Sequence, residues 1–168
     1  FIAPLRNAFG SLKGARCAII GAGGGARAAL CALREEGAQV TLFARDPERG
    51  RRVAKEFGIE YRQLGGASFD RREIVINATP LGTRGKYAEQ TPATAEQLGG
   101  VRLAYDLVYN PIETRFLHEA RAAGCETLSG LEMLIAQAVE QFKLWTGRDP
   151  NVEIMRAAAR AALREEFS

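Results

Sequence analysis

The sequence predicts an α/β fold in which an open, doubly wound parallel sheet is covered by helices on both faces. Its 168 residues are 46% apolar and 26% charged, which is close to the globular average and sufficient for one domain with a full core. Six short apolar runs alternate with helical patterns along the chain. A glycine-rich turn at residues 21–26 joins the first of these strands to the helix that follows it.

The first half of the chain alternates strand and helix after an opening helix over residues 1–12. Apolar runs bounded by turn residues predict strands at 15–20, 40–44, 59–64 and 73–77. One helix is expected from Ala26 to a C-terminal cap at Gly37, and the next from Pro47 to about Phe57.

The middle of the chain is less regular, because residues 82–100 are polar and show little periodicity apart from a short helix near 94–98. A fifth strand is expected over residues 103–108. The helix signals that follow are Asn110 as the N-cap, Pro111 at the first helical position, Glu113 as the capping-box acid and an end near Gly124.

The C-terminal part predicts two amphipathic helices. A sixth strand over residues 126–128 leads into a helix capped by Ser129 and Glu132, and the last helix covers about 152–167. Their apolar stripes are Leu131, Leu134, Ile135, Ala138 and Phe142 on the first, and Met155, Ala158, Ala159, Ala162 and Leu163 on the second.

Composition argues against several classes of partner. The net charge is only +3 and the arginines are scattered, so nucleic acid is not expected. The longest apolar runs fall far short of the roughly 20 residues that span a bilayer, so no membrane is expected. Cys17, Cys31 and Cys125 lack the paired spacing of a zinc or redox site. We therefore expect no metal, and reduced core thiols in a cytoplasmic protein.

The glycine-rich turn predicts a dinucleotide site. The pattern Gly21-x-Gly23-x-x-Ala26 directly follows a strand and opens a helix, which is the context that such a turn requires. Its first glycine makes the tight turn, its second lets the backbone approach a pyrophosphate, and the small third residue lets helix pack on strand. Free N–H groups and the helix dipole attract the anion. The residues expected to bind it are Gly21, Ala22, Gly23, Gly24, Gly25 and Ala26.

The tip of the second strand bears on the choice between NAD and NADP. An acid there binds the ribose 2′-OH of NAD, whereas an arginine accommodates the 2′-phosphate of NADP. Both kinds occur, because Asp46 directly follows Arg45. Arginines outnumber acids over residues 45–52, so the local charge favours NADP over NAD.

Four separated blocks agree in order and spacing with a known family. They are residues 21–28 (GAGGGARA), 77–82 (NATPLG), 105–111 (YDLVYNP) with Thr114, and 130–134 (GLEML) with Gln137. By these blocks the chain resembles, over nearly its full length, the shikimate dehydrogenases. That family reduces 3-dehydroshikimate to shikimate with NADPH in aromatic amino-acid biosynthesis.

The resemblance implies that residues 1–168 form a Rossmann-like NADP-binding domain that includes the C-terminal helices. It implies contacts with the 2′-phosphate by Arg45 and Arg49, at a strand tip that also includes Ala44 and Asp46. It implies a nicotinamide site lined by Asn77, Ala78, Thr79, Leu107, Gly130 and Met133, and substrate contacts from Tyr109 and Gln137. The family usually has Asn-Arg-Thr where this chain has Ala44-Arg45-Asp46, and Ala where it has Gly25.

The resemblance assigns no catalytic residue to this chain. The family's proton-handling Lys and Asp belong to an N-terminal substrate domain with Ser-Val-Thr-x-Pro-x-Lys and Asn-Thr-Asp motifs, and neither motif occurs in this sequence. The expected partners are therefore a small-molecule substrate and a missing N-terminal domain of the same polypeptide, which could belong to a fused multifunctional pathway enzyme. The sole histidine, His118, is expected on the surface of a helix.

Two alternatives stay open at this point. The first is a quinate/shikimate dehydrogenase that prefers NAD, for which Asp46 is the supporting feature. The second is a fragment that binds nucleotide and catalyses nothing, for which the missing lysine motif is the evidence. Hydride-transfer assays with each substrate and cofactor distinguish these alternatives.

Overall fold

The computed structural model describes residues 1–165, and these form one parallel sheet with helices on both faces. The strands are β1 (Arg16–Ile20), β2 (Gln39–Ala44), β3 (Glu60–Gln63), β4 (Ile74–Asn77), β5 (Leu103–Asp106) and β6 (Glu126–Leu128). The helices are α1 (Ile2–Phe9), α2 (Gly24–Glu35), α3 (Pro47–Phe57), α4 (Arg115–Ala122), α5 (Gly130–Thr146) and α6 (Val152–Glu165). The strand order is β3-β2-β1-β4-β5-β6, and every pair is parallel, so the predicted fold class is confirmed.

The core consists of two apolar layers, one on each face of the sheet. Strand β1 shows the division, since Cys17 and Ile19 belong to one layer while Ala18 and Ile20 belong to the other. The first layer includes side chains of α1, α2 and α3, and the second includes side chains of α4 and of the segment between β4 and β5. All of β4 and β5 is buried, as expected for central strands that are covered on both sides.

Two predicted helix caps differ from the observed ones. Helix α4 begins after Thr114 rather than Asn110, because the Thr114 hydroxyl accepts the Leu117 N–H at 3.3 Å and so caps the helix. Helix α5 does follow Ser129, but the predicted capping box is absent: Ser129 makes no side-chain cap, and the Glu132 carboxylate binds Arg156 instead, at 2.9 and 3.2 Å.

The short helix predicted near residues 94–98 is not formed. The Leu98 N–H lies between the carbonyls of Thr94 and Ala95, at 3.1 and 3.2 Å, which makes a turn rather than a helical ladder. The chain then turns away at Gly99 and at Gly100, whose φ is +83°. The amide N–H of Thr94 donates to the Gln97 side chain at 2.9 Å, so a side chain here satisfies a group that a helix would leave open.

The C-terminal helices are less buried than their apolar stripes predicted. In α5 only Gly130, Leu131 and Ile135 are buried. All five residues of the predicted α6 stripe are exposed or half-buried, and Phe167, at the predicted end of this helix, lies outside the described residues.

Three single predictions can be compared with the structure. The thiols of Cys17 and Cys125 are buried and unpaired, and burial raises the pKa of Cys17 to about 12. Cys31 is exposed, so its assignment to the core was wrong: it lies on the solvent side of α2, away from Leu30 and Leu33.

His118 is exposed, as predicted. None of the helices in the described part of the chain has the length and apolar character needed to cross a membrane.

Candidate functional site

The candidate site lies at the carboxyl edge of the sheet, where the strand order reverses. Strand β1 pairs with β2 on one side and with β4 on the other. The loops that follow β1 and β4 therefore start next to each other. The Ala78 N–H, just after β4, donates to the Ile20 carbonyl at 2.9 Å, and the Gly21 N–H donates to the Phe43 carbonyl at 2.7 Å. Open α/β sheets bind ligands at such a reversal point.

Two glycines of the turn after β1 have different reasons to be glycine. Gly21 has a φ of +117°, and a Cβ there would lie 2.8 Å from the Ala78 carbonyl oxygen, so the fold itself requires a glycine. Gly23 has an extended backbone, and a Cβ there would meet no heavy atom within 4 Å. The space beside Gly23 is therefore open to a ligand.

Helix α2 begins at this turn without a cap from the protein. Gly23 is its N-cap residue, no side chain accepts a hydrogen bond from its first turn, and that turn contains no acid. The N–H groups at a helix start lack partners within the helix, and together with the helix dipole they attract an anion. Ala26 is wholly buried and brings the helix close to β1. The turn can therefore bind a pyrophosphate.

A cavity of about 370 Å³ lies between this turn and the end of β2, and we call it the strand-2 cavity. Arg45 lines it, is exposed, and makes no hydrogen bond or ion pair within the described part of the chain. Arg49 also lines it, and its Nε donates to the Ala22 carbonyl at 3.0 Å. The other lining residues are Gly21, Ala22, Gly23, Ala44, Asp46, Leu64, Ala78, Thr79, Pro80, Leu81 and Tyr87.

Asp46 has a role that the sequence analysis did not assign. It is the N-cap of α3, and its Oδ1 accepts the N–H groups of Glu48 and Arg49 at 3.0 and 3.2 Å. An acid at this position therefore has a structural reason that is independent of any ribose hydroxyl.

A second cavity, of about 410 Å³, lies on the other side of the turn, and we call it the strand-5 cavity. Tyr109 lines it with 45% of its surface exposed, and Leu107 lines it half-buried. Ala78 and Thr79 line both cavities, so the two adjoin over the ends of β1 and β4. The remaining lining residues are Gly25, Thr83, Arg84, Val108 and Asn110.

The three predicted site residues on α5 line neither cavity. Met133 and Gln137 lie in a groove of about 990 Å³ between α1 and α5, which we call the α1–α5 groove. Gly130 is buried, and a Cβ there would lie 2.3 Å from the Val108 carbonyl oxygen, so this glycine lets α5 pack against the wall of the strand-5 cavity. Contacts of these three residues with a cofactor or a substrate stay predictions.

Beneath the site lies a buried polar network. Asp106 accepts hydrogen bonds from the Asn77 side chain at 2.9 Å, from the Val108 N–H at 3.0 Å and from the Thr114 hydroxyl at 2.5 Å. Asn77 in turn accepts the N–H and the hydroxyl of Thr79, at 3.0 and 2.6 Å. Burial raises the pKa of Asp106 to about 6, although the three donors oppose that rise.

This network changes the interpretation of Asn77. Its side chain is wholly buried, and its amide group binds Asp106 and the Leu81 carbonyl, so we assign it to holding the loop after β4. A contact between Asn77 and a cofactor stays a prediction. Because its side chain is bound within the protein, only the backbone atoms of Asn77 could make such a contact.

Sequence reasoning missed several residues of the site. Asp106 and Thr114 stand within a motif that the sequence analysis noted, but no role was given to either. Thr83, Arg84 and Tyr87 belong to the segment 82–100, whose lack of periodicity gave no signal of a wall beside the cavities.

Comparison with known proteins points to one family. Residues 4–85 match a family model described as shikimate / quinate 5-dehydrogenase, and residues 130–160 match one described as shikimate 5′-dehydrogenase C-terminal domain. A shikimate dehydrogenase (NADP(+)) of Archaeoglobus fulgidus is 39% identical over 163 residues, which cover 91% of this chain and 59% of the relative. The chain thus spans less than two thirds of that relative's length.

Solved structures agree with this match. The crystal structure of shikimate 5-dehydrogenase from Thermus thermophilus in complex with NADP(H) and shikimate matches with a TM-score of 0.85 and 39% identity, over 96% of this chain and 60% of that one. Quinate dehydrogenase from Corynebacterium glutamicum in complex with NAD matches with a TM-score of 0.78 and 32% identity, over 92% and 58%. Sequence blocks, strand order and both family models agree, and the chain belongs to the shikimate dehydrogenase family.

Proposed function

We propose that this chain is the NADP(H)-binding part of an enzyme that interconverts 3-dehydroshikimate and shikimate. The observation that carries the proposal is the uncapped turn of α2, which opens beside Gly23 and borders a cavity lined by Arg45 and Arg49. An anion at the helix start and a second phosphate beside two guanidinium groups match the two phosphate positions of NADP.

The residues present fit the phosphate groups and the nicotinamide end of the cofactor. The N–H groups at the start of α2 would hold the pyrophosphate, Arg45 and Arg49 the 2′-phosphate, and the strand-5 cavity the nicotinamide ring. When bound, the nicotinamide supplies or accepts a hydride. The chain's own residues position it: Thr79 lies between the two cavities, Leu107 provides an apolar wall, and Tyr109 would reach the substrate.

An NAD-preferring quinate/shikimate dehydrogenase is the second candidate. Asp46 and the likeness to a quinate dehydrogenase in complex with NAD favour it. Against it, the Asp46 carboxylate already caps α3, and Arg45 has no ion-pair partner within the described residues, which leaves its charge for a phosphate.

We propose that catalysis requires a substrate domain that carries the family's lysine and aspartate. We therefore expect this chain alone to bind nucleotide without turning over shikimate. Turnover by the chain alone, at roughly 1 to 1000 per second as is typical of enzymes, would contradict this part of the proposal. A cytoplasmic location belongs to the same proposal, and the unpaired buried thiols of Cys17 and Cys125 support it.

Calorimetric titration of the chain with NADP+ and with NAD+ at one fixed salt concentration tests the proposal. We expect NADP+ to bind more tightly by about tenfold or more, which corresponds to about 1.4 kcal/mol or more. Tighter binding of NAD+ would establish the second candidate instead. Failure to bind either nucleotide would remove the cofactor assignment altogether.

A further inference from the structure

The buried network beneath the site joins the ends of two neighbouring strands. Asn77 ends β4 and Asp106 ends β5, and the two are direct partners in the sheet register. Both side chains are wholly buried, and Thr114, at the start of α4, is 1% exposed. Buried polar groups of this kind must be paired, and here they are paired with one another and with the loops that leave the sheet.

One half of the network fixes the loop after β4. The Asn77 Oδ1 accepts the N–H and the hydroxyl of Thr79, while its Nδ2 donates to the Leu81 carbonyl at 3.2 Å. The Thr79 hydroxyl also accepts the Leu81 N–H at 3.2 Å. Thr79 is therefore fixed by three hydrogen bonds, directly between the two cavities.

The other half fixes the loop after β5. The Asp106 Oδ1 accepts the Val108 N–H as well as the Asn77 amide, and its Oδ2 accepts the Thr114 hydroxyl. Thr114 packs against the first loop too, because a Cβ on Gly82 would lie 3.1 Å from the Thr114 Cβ. One threonine thus links the start of α4 to both loops.

The bonds that Asp106 itself makes favour the strand-5 cavity. Val108, which accounts for one of them, lines only that cavity. Leu81 lines only the strand-2 cavity and is bound by Asn77 and Thr79, not by Asp106. Arg45 and Arg49, the charged residues of the strand-2 cavity, have no bond to the network. Loss of the Thr114 hydroxyl leaves one carboxylate oxygen of Asp106 without its donor, and the segment that Asp106 holds directly is the wall of the strand-5 cavity.

We infer that Asp106 is a positioning residue which, through Thr114 and Asn77, keeps the walls of the strand-5 cavity in the geometry that accepts the nicotinamide end of the cofactor. The inference rests on the proposed function. We expect the network to affect cofactor binding as well as the stability of the fold. Of the three groups that donate to Asp106, Val108 lines the strand-5 cavity, and Asn77 and Thr114 support its walls.

The test compares Thr114→Val with Thr114→Ser. Valine keeps the volume and removes the hydroxyl, whereas serine keeps the hydroxyl that donates to Asp106 and caps α4. Two probes are titrated: NADP+, which would occupy both cavities, and adenosine 2′,5′-bisphosphate, which lacks the nicotinamide end. We expect Thr114→Val to weaken NADP+ by about tenfold, the scale of one hydrogen bond to a charged group. Binding of the bisphosphate should stay within about twofold of the parent value, and Thr114→Ser should match the parent chain with both probes.

Each outcome decides. Equal weakening of both probes, or none, would overturn the inference while leaving the proposed function in place. Failure of the parent chain to bind either probe would instead contradict the proposed function. If Thr114→Val does not fold, Asp106→Asn replaces it: it keeps the side-chain volume and loses the charge, and it should weaken NADP+ by about threefold with the bisphosphate unchanged. Loss of the same factor for both probes in that variant would also overturn the inference.

Discussion

The buried carboxyl of Asp106 should make the chain less stable as the pH rises through the weakly acidic range. Burial raises its pKa from the ordinary 3.8 to about 6, and the hydrogen bonds from Thr114, Val108 and Asn77 only partly offset the loss of hydration. The perturbation that isolates this group is Asp106→Asn, which keeps the shape and removes the titration.

The sign follows from the two pKa values. Below about pH 4 the carboxyl is protonated in both the folded and the unfolded chain, so its stabilising contribution is fully present. Between about pH 4 and pH 6 the unfolded chain loses the proton while the folded chain keeps it, so stability falls as the pH rises. The gap between the two pKa values, at 1.36 kcal/mol per pH unit, amounts to about 3 kcal/mol, all of which is lost above about pH 6.

The assay is urea unfolding at 25 °C, from pH 3 to pH 8, for the parent chain and for Asp106→Asn. The free energy of unfolding of the parent, minus that of the variant, should fall by about 3 kcal/mol over this range. Other groups, such as Glu60 and Glu73, whose pKa values are lowered mainly by hydrogen bonds with arginines, cancel in the difference because they lie outside the network. Asp70→Asn removes an exposed carboxylate and serves as the matched control. A difference that stays flat with pH would mean that the three donors balance burial, and one that rises would mean that they outweigh it; either result would refute the reasoning.

Three further predictions concern the phosphate-binding elements. Gly23→Val should abolish NADP+ binding without unfolding the chain, since a Cβ at this position meets no atom within 4 Å. Gly21→Val should instead destabilise the chain, since a Cβ at that position lies 2.8 Å from the Ala78 carbonyl oxygen. Calorimetry measures the loss of binding, and circular dichroism measures the loss of fold. Arg45→Ala should weaken NADP+ by roughly 10- to 150-fold, from about 1.5 to 3 kcal/mol for a charged hydrogen bond, and leave NAD+ nearly unchanged; equal loss of both would remove Arg45 from the phosphate site. Asp46→Thr should retain the cap of α3 and bind NADP+ more tightly, whereas Asp46→Ala should cost about 1 kcal/mol in urea unfolding; unchanged NADP+ affinity in the threonine variant would show that this carboxylate does not face the phosphate.

Much of the fold could be predicted because its signals are local. The strand before Gly21 is an apolar run that ends at a glycine. The helix from Pro47 to Phe57 has a helical hydrophobic period and a proline at its first position. The start of α4 could not be predicted in this way. Asn110, Pro111 and Glu113 look like a helix start, but the cap is chosen by Thr114, whose hydroxyl also binds Asp106. That second partner lies on β5, and no local pattern reveals it.

The candidate site divides along the same line. The glycine turn and Arg45 could be located because strand ends and turn residues determine their positions. The packing of α5 could not be anticipated from its sequence period. That packing places Gly130 against the Val108 carbonyl and leaves Met133 and Gln137 in the α1–α5 groove. Whether those two residues reach a ligand depends on contacts that are long-range in the sequence.

The central claim is that NADP(H) lies across the carboxyl edge of the sheet, over the turn after β1. An NMR titration of the isotope-labelled chain with NADP+ tests it most directly. The account predicts that amide shifts concentrate at Gly23, Gly24, Arg45 and Thr79, with residues at the opposite edge of the sheet, such as Arg16, unchanged. Shifts confined to the α1–α5 groove, with the glycine turn silent, would contradict the account.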